Sequence, residues 1–351
     1  MNITLNSLPA KTWNRLNMNK STAELEGEFL PHAPQAVYDE NTVTWTPGSG
    51  WSDPRSACGL SPDFTALAEK AAPDLVETAA GRVMDKPIVL TYRYAQGEHA
   101  VSRLVFHAAP DSLLSAVILM DSPLTGGGDS DLLQIQVLAE ENARLDLFVA
   151  QLTGRDSLCL NEIGGTCAKG AQVKLTRLEL GGRSAWSGAN LDLAGADSSF
   201  TAEIGYHARP GQLLDMNYVA LHRGRNTNSL MEANGTLEDG SKKVFRGTID
   251  FRQGCAGAKG TENENVLLLG DDMVNQTIPL ILCKEEDVEG NHGASIGQLD
   301  ERLLFYLGSR GIAAEDAQQM IARSRIEAIC EKFPVEEIRE QIRNYEYREV
   351  Q

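Results

Sequence analysis

Phe200-Thr-Ala-Glu-Ile-Gly-Tyr206, Met216-Asn-Tyr-Val-Ala220 and Phe245-Arg-Gly-Thr-Ile-Asp-Phe251 decide the fold class. In each, apolar side chains fall on every second position, the period of a strand that buries one face. The alternation extends back through Leu133, Ile135, Val137, then Leu145, Leu147, Val149, then Val173, Leu175, Leu178, Leu180 and finally Leu191, Leu193. Turn formers separate the runs: Gly126 to Gly128, Gly164-Gly165, Gly181-Gly182, Pro210-Gly211 and Asp239-Gly240. From Leu180 on, strand centres near Asp192, Glu203, Tyr218 and Glu232 recur every eleven to fifteen residues with no helical segment between them. Sheets of the βαβ kind need a helical crossover, so that class is disfavoured. An antiparallel sandwich or barrel and a parallel β-helix both remain open. Short strands with glycine-rich corners and few aromatic residues favour the β-helix.

The flanks read differently. Residues 1–85 are broken by Pro31, Pro34, Pro47, Pro54 and Pro62 and predict an irregular region with one helix, Asp63 to Ala71, capped by Ser61 with Pro62 in its first turn. From about Gln298 the period becomes helical. Leu299, Leu303, Leu304 and Leu307 form one stripe, ended near Gly308. Ala322, Ile326, Ile329, Cys330 and Phe333 form a second, and Val335, Ile338, Ile342 and Tyr345 a third. The expected units are 1–85, a β-structured core over 86–297, and a compact helical appendage over 298–351.

With 32 Lys and Arg against 49 Asp and Glu, the 351-residue chain carries −17, which argues against nucleic-acid binding. A 42% hydrophobic content supports a sizeable core. No stretch is apolar over the ~18–20 residues of a transmembrane helix, and Met1 to Asn19 has no apolar core of a secretory signal, so a soluble, cytoplasmic protein is expected. Cys58, Cys159, Cys167, Cys255, Cys283 and Cys330 show no CxxC spacing and read as reduced thiols, mostly buried. Cys283, which follows Ile281 and Leu282, is expected to pack as a small hydrophobe.

Motifs for nucleotide or hydrolytic chemistry fail. Gly254 to Gly260 has a glycine after its lysine where a phosphate loop needs Ser or Thr, and no Gly-x-Ser-x-Gly or His-x-x-x-His occurs. The densest region runs from Asp215 to Gly311. It includes Asn263-Glu-Asn265, Leu267-Leu-Leu-Gly-Asp271 and Gly290-Asn-His292-Gly-Ala-Ser295-Ile-Gly297, then Asp300-Glu-x-Leu-Leu-Phe-Tyr-Leu-x-Ser-Arg-Gly311. These elements resemble the SufB/SufD family of iron–sulfur cluster assembly proteins over roughly residues 85–345.

The resemblance implies a mainly β protein, a right-handed parallel β-helix with an irregular N-terminal region and a small C-terminal helical domain. It implies pairing with a SufB-like paralogue through the β-helix and docking of a SufC-type ABC ATPase on the C-terminal helices, for which Leu304, Phe305, Tyr306 and Arg310 are the expected contacts. SufB is similar but has a cysteine where Glu264 stands and a Glu-His-Glu triplet where Asn291-His292-Gly293 stands, so the chain looks SufD-like. His292 is then the residue expected to meet metal, since imidazole is a competent iron ligand. Gly290, Gly293 and Gly297 would let the backbone turn sharply around it. The expected role is a non-catalytic scaffold with no stably bound cofactor, meeting iron or a nascent iron–sulfur cluster transiently at the SufB interface. Two alternatives stay open: a SufB-like subunit that builds the cluster itself, and a β-helix carbohydrate-active enzyme, which the 6% aromatic content disfavours. An exposed end strand also makes a homodimer a fair expectation for the isolated chain.

Overall fold

The computed structural model describes residues 1–12, 14–51, 60–125 and 128–348. Cys58, Pro54, Gly126 and Gly127, read above, lie outside them. The alternating runs wind into a parallel β-solenoid of about 8 turns. Each turn gives one strand to each of two long sheets. In the first sheet Ser130 pairs with Leu158, Leu158 with Ser184, Ser184 with Leu213, Leu213 with Lys242 and Lys242 with Val274. In the second, Arg144, Gln172, Ser199, Asn228 and Lys259 form the matching column. The spacing of eleven to fifteen residues in the sequence is therefore half a turn. Corners between the sheets use left-handed glycines such as Gly211 (φ 81°) and Gly240 (φ 74°), a conformation that costs other residues strain.

Period two places Leu145, Leu147 and Val149 from one sheet against Leu133, Ile135 and Val137 from the other, inside a single continuous core. Phe200, Tyr206, Phe245 and Phe251 are fully buried there. Each such side chain contributes ~1.5–3 kcal/mol by leaving water.

Several strands are apolar on both faces because their outer faces are covered too. Over the first sheet lies the N-terminal region, whose Ile3, Leu5, Phe29, Phe64 and Leu67 pack on Val101, Leu132, Leu160 and Trp186. Its helix α1 (Pro62–Ala68) starts as read, with Ser61 Oγ accepting from the Phe64 amide at 3.1 Å. Buried polar groups pin the region further along. Asn6 Nδ2 donates to Asp215 Oδ1 at 2.6 Å, and Arg246, ion-paired to Asp215, donates to the Met18 carbonyl at 2.9 Å.

Three C-terminal helices follow the solenoid: α2 (Glu301–Ser309), α3 (Ala314–Cys330) and α4 (Glu336–Arg348). The outer row Val117, Leu119, Ala150, Leu152, Leu178 and Leu180 of the second sheet is buried by Ile326, Ile329, Phe333, Ile338, Ile342 and Tyr345. Helices α3 and α4 thus use their stripes against the solenoid itself. Among the described residues no helix is long and apolar enough to cross a membrane.

The two ends of the solenoid differ. At the start, Gln35–Val37 and Thr44–Thr46 pair antiparallel with Ile88–Arg93 and Asp74–Thr78, and Ala36, Tyr38 and Trp45 close the core. At the other end the terminal strands, Val274–Cys283 and Val288–Gln298, each pair on one side only among the described residues.

Candidate functional site at the open end of the solenoid

His292 lies in the strand Val288–Gln298, paired in register with Glu262. The backbone is extended here and none of Gly290, Gly293 and Gly297 has a positive φ, so the expected sharp turn is absent. Gly290 serves contact instead, since a Cβ there would stand 3.1 Å from both Ile281 and Phe251. In-register neighbours on parallel strands point to the same face. Glu262 is fully buried, and His292 therefore points to the inner side of the last turn, where the next turn is missing and the ring is exposed.

Beneath this ring the core turns polar. Lys243 Nζ meets Glu264 Oε1 at 2.5 Å, both side chains being fully buried. Glu264 also accepts from Tyr206 Oη at 3.0 Å and from Thr277 Oγ1 at 2.5 Å. Burial draws the Lys243 amine down from its ordinary range while the Glu264 charge resists. Glu262 is different: among the described residues neither of its carboxyl oxygens has a hydrogen-bond partner. Burial, reinforced by the neighbouring Glu264 charge, pushes it up to about 8, so it is largely protonated at neutral pH. A Cβ on Gly247 would stand 2.2 Å from the Glu262 carboxyl carbon, so this glycine makes room for that side chain. Glu264 is thus an internal ion-pair partner.

Cys283 departs from the sequence expectation. It lies in register with the buried Phe251, but as part of the uncovered last turn it is exposed, its Sγ donating to the Glu285 carbonyl at 3.0 Å. Cys159, Cys167, Cys255 and Cys330 are buried free thiols, as read. Among the described residues no three His, Cys, Asp or Glu side chains gather as a metal site. His292 therefore offers a single donor at an open edge.

The other expected contacts sit apart from it. Asp300 caps α2 by accepting from the Arg302 amide at 2.8 Å, and the helix buries none of its side chains. Phe305 is 80% and Tyr306 52% exposed, Leu304 is half-buried, and the Arg310 guanidinium lies 5.2 Å from the Tyr306 ring centre. Among the described residues no hydrogen bond, ion pair or ring contact joins these four residues to His292.

A second polar cluster escaped the sequence reading. His207 Nε2 lies 2.9 Å from Glu238 Oε1 and its Nδ1 3.4 Å from Glu346 Oε2, while Arg209 Nη2 donates to Glu346 Oε1 at 2.6 Å. It fastens α4 to the second sheet. The only sequence signal was the closely spaced His207 and Arg209 at the end of an alternating run.

Comparison with known proteins agrees with this architecture. Residues 92–325 match the family model described as SUF system FeS cluster assembly, SufBD core domain. An iron-sulfur cluster assembly SufBD family protein of Staphylococcus saprophyticus is 32% identical over 129 residues, covering 37% of this chain and 28% of the relative. Proteins of the same description from Staphylococcus epidermidis and Staphylococcus aureus are 30% identical over the same length. The aligned part thus spans little more than a quarter of these curated relatives. The family model covers most of the solenoid together with α2 and much of α3, and the chain belongs to the SufBD family of iron–sulfur cluster assembly proteins.

Proposed function

We propose that the chain is a SufD-like, non-catalytic scaffold subunit. It pairs through the open end of its solenoid with a SufB-like paralogue, docks a SufC-type ABC ATPase on α2, and works in the cytoplasm. The observation that carries this reading is the last turn: two strands that, among the described residues, pair on one side only, one of them carrying an exposed imidazole. A strand edge of this kind recruits another strand. A single imidazole there supplies one ligand, and the thiolates that hold most clusters must come from elsewhere. Iron or a nascent cluster is cargo in this scheme, met transiently where the two solenoid ends join. Phe305 and Tyr306 on α2 give the ATPase an aromatic contact of the type enriched in protein interfaces. The exposed thiol of Cys283 favours a second reading, in which the chain builds the cluster itself.

One experiment separates the two. The chain is purified alone and after co-expression with SufB-like and SufC-type proteins, then followed by pull-down, ATPase assay and visible absorption. The scaffold reading expects a colourless, ATPase-inactive lone chain and a stable ternary complex. Stoichiometric cluster absorption in the lone chain refutes it.

A further inference from the structure

The turn that ends the solenoid sets two cysteines against each other. Cys283 closes the strand Val274–Cys283, in register with Phe251, and its thiol is exposed. Cys255 lies one turn below, in the corner between Lys242–Phe251 and Ala258–Leu269, and is fully buried in the core. The two corners stack. Lys284 donates its amide to the Phe251 carbonyl at 2.9 Å, and Gly257 donates to the Asp287 carbonyl at 2.7 Å. Between these bonds both segments meet Glu285, whose carboxylate accepts from the Gly254 amide at 2.9 Å and whose carbonyl accepts from Cys283 Sγ at 3.0 Å. Chains stacked in this way run ~4.8 Å apart. That lies inside the span of roughly 4.4–6.8 Å over which a disulfide joins two Cα atoms. Burial pushes the Cys255 thiol up, and the Glu285 charge and a charge on Cys283 add to the rise. Cys159 and Cys167 lie in the strand Leu158–Cys167 and Cys330 in α3, away from this corner.

We propose that Cys255 and Cys283 are a redox pair, joined to each other on oxidation by a small disulfide of the glutathione type. Exposure sets the order of events, because the reagent reaches Cys283 and not the buried Cys255. The Cys283 thiolate attacks one sulfur of the reagent, a mixed disulfide forms, and one small thiol leaves with the proton. Cys255 then gives up its proton, attacks the Cys283 sulfur from inside and expels the second small thiol. Two protein thiols are oxidised, and one small disulfide is reduced to two thiols. The raised Cys255 thiol makes the second step the slow one. The bond closes a loop from Cys255 to Cys283 that contains the strand Val274–Cys283, which pairs on one side only among the described residues. Local opening concentrates at such an edge, and the bond clamps it to the covered turn below. In a reducing compartment the bond is transient and registers an oxidising shift.

Thiol mapping supplies the test. The intact 351-residue chain is equilibrated with mixtures of oxidised and reduced glutathione, free thiols are alkylated, and peptides are mapped by mass spectrometry without reduction. The expected product is one link within the chain, between Cys255 and Cys283, reversed by reductant. Cys255→Ala, which keeps a small apolar side chain, stops at a mixed disulfide on Cys283, and Cys283→Ser takes up no glutathione at Cys255. The wild-type map decides the point even where a variant fails to fold. Amides of Val274–Cys283 exchange at least about tenfold more slowly in the linked chain than in the reduced one, with α4 unchanged. A mixed disulfide on Cys283 that persists in the wild type overturns the inference. So does a link from Cys283 to any other cysteine or to a second chain, or exchange in the last turn that the link leaves unaltered.

Discussion

Glu346→Gln tests how α4 is held. The Glu346 side chain is buried between Arg209 and His207. Burial alone would raise its carboxyl, yet the Arg209 guanidinium and the His207 ring outweigh this and hold it down at about 2. Against an ordinary value of 4.5, at ~1.4 kcal/mol per unit, the folded protein gains about 3 kcal/mol from ionised Glu346. A group whose pKa is depressed on folding contributes fully above its unfolded value and loses that contribution as pH falls through the folded one. The stabilisation is thus complete above about pH 5 and fades toward pH 2. Replacing Glu346 with Gln keeps the shape but removes the buried ion pair with Arg209, a loss of the same order, about 3–5 kcal/mol. Tyr345, whose hydroxyl donates to the Thr153 carbonyl at 2.8 Å, and Ile342 still anchor the helix, so the defect is local. Hydrogen exchange at neutral pH should show α4 amides in E346Q opening at least a hundredfold more often, with the solenoid strands unchanged. Wild-type α4 should lose protection in the same way as pH falls from 5 to 2. Unchanged α4 protection in the variant refutes the assignment of this cluster as its fastening.

Two further outcomes follow from the same geometry. Phe305→Asp should leave the melting temperature within about 2 °C of wild type, because the ring touches no core, while pull-down of a SufC-type ATPase is lost; retained binding moves the docking site off α2. Glu262 is raised on folding, so the folded state holds a proton that the unfolded chain releases, and wild-type stability should fall by about 3–4 kcal/mol as pH rises from 5 to 8. Denaturant titrations across that range should show the fall in wild type and a flatter profile in Glu262→Gln; parallel profiles contradict the buried, protonated carboxyl.

Period-two runs such as Phe200 to Tyr206 carried the solenoid, because an inward face packed against the opposite sheet imposes the same alternation on every turn. The strand around His292 was hidden by its three glycines and by the loss of apolar alternation, since the last turn has no further turn to bury its inner face. Cys283 misled for the same reason: its neighbours are apolar, but nothing covers them. The N-terminal region read as irregular because its contacts are single apolar residues spaced along one sheet, such as Leu8 and Met18 on Val244 and Ile278, and have no period. Lys243 and Glu262 fall outside the alternating runs visible in the sequence. Their roles depend on register, which pairs residues from different turns and leaves no local trace.

The central claim is that this chain contributes the His292 ring to cluster assembly at a shared solenoid end. His292→Ala, measured in the reconstituted complex with its SufB-like and SufC-type partners, tests it most directly. The ring is exposed, so the account predicts an unchanged thermal transition and unchanged complex stoichiometry, with cluster absorption per assembled complex abolished. A variant that assembles the complex and yields clusters at the wild-type level contradicts it.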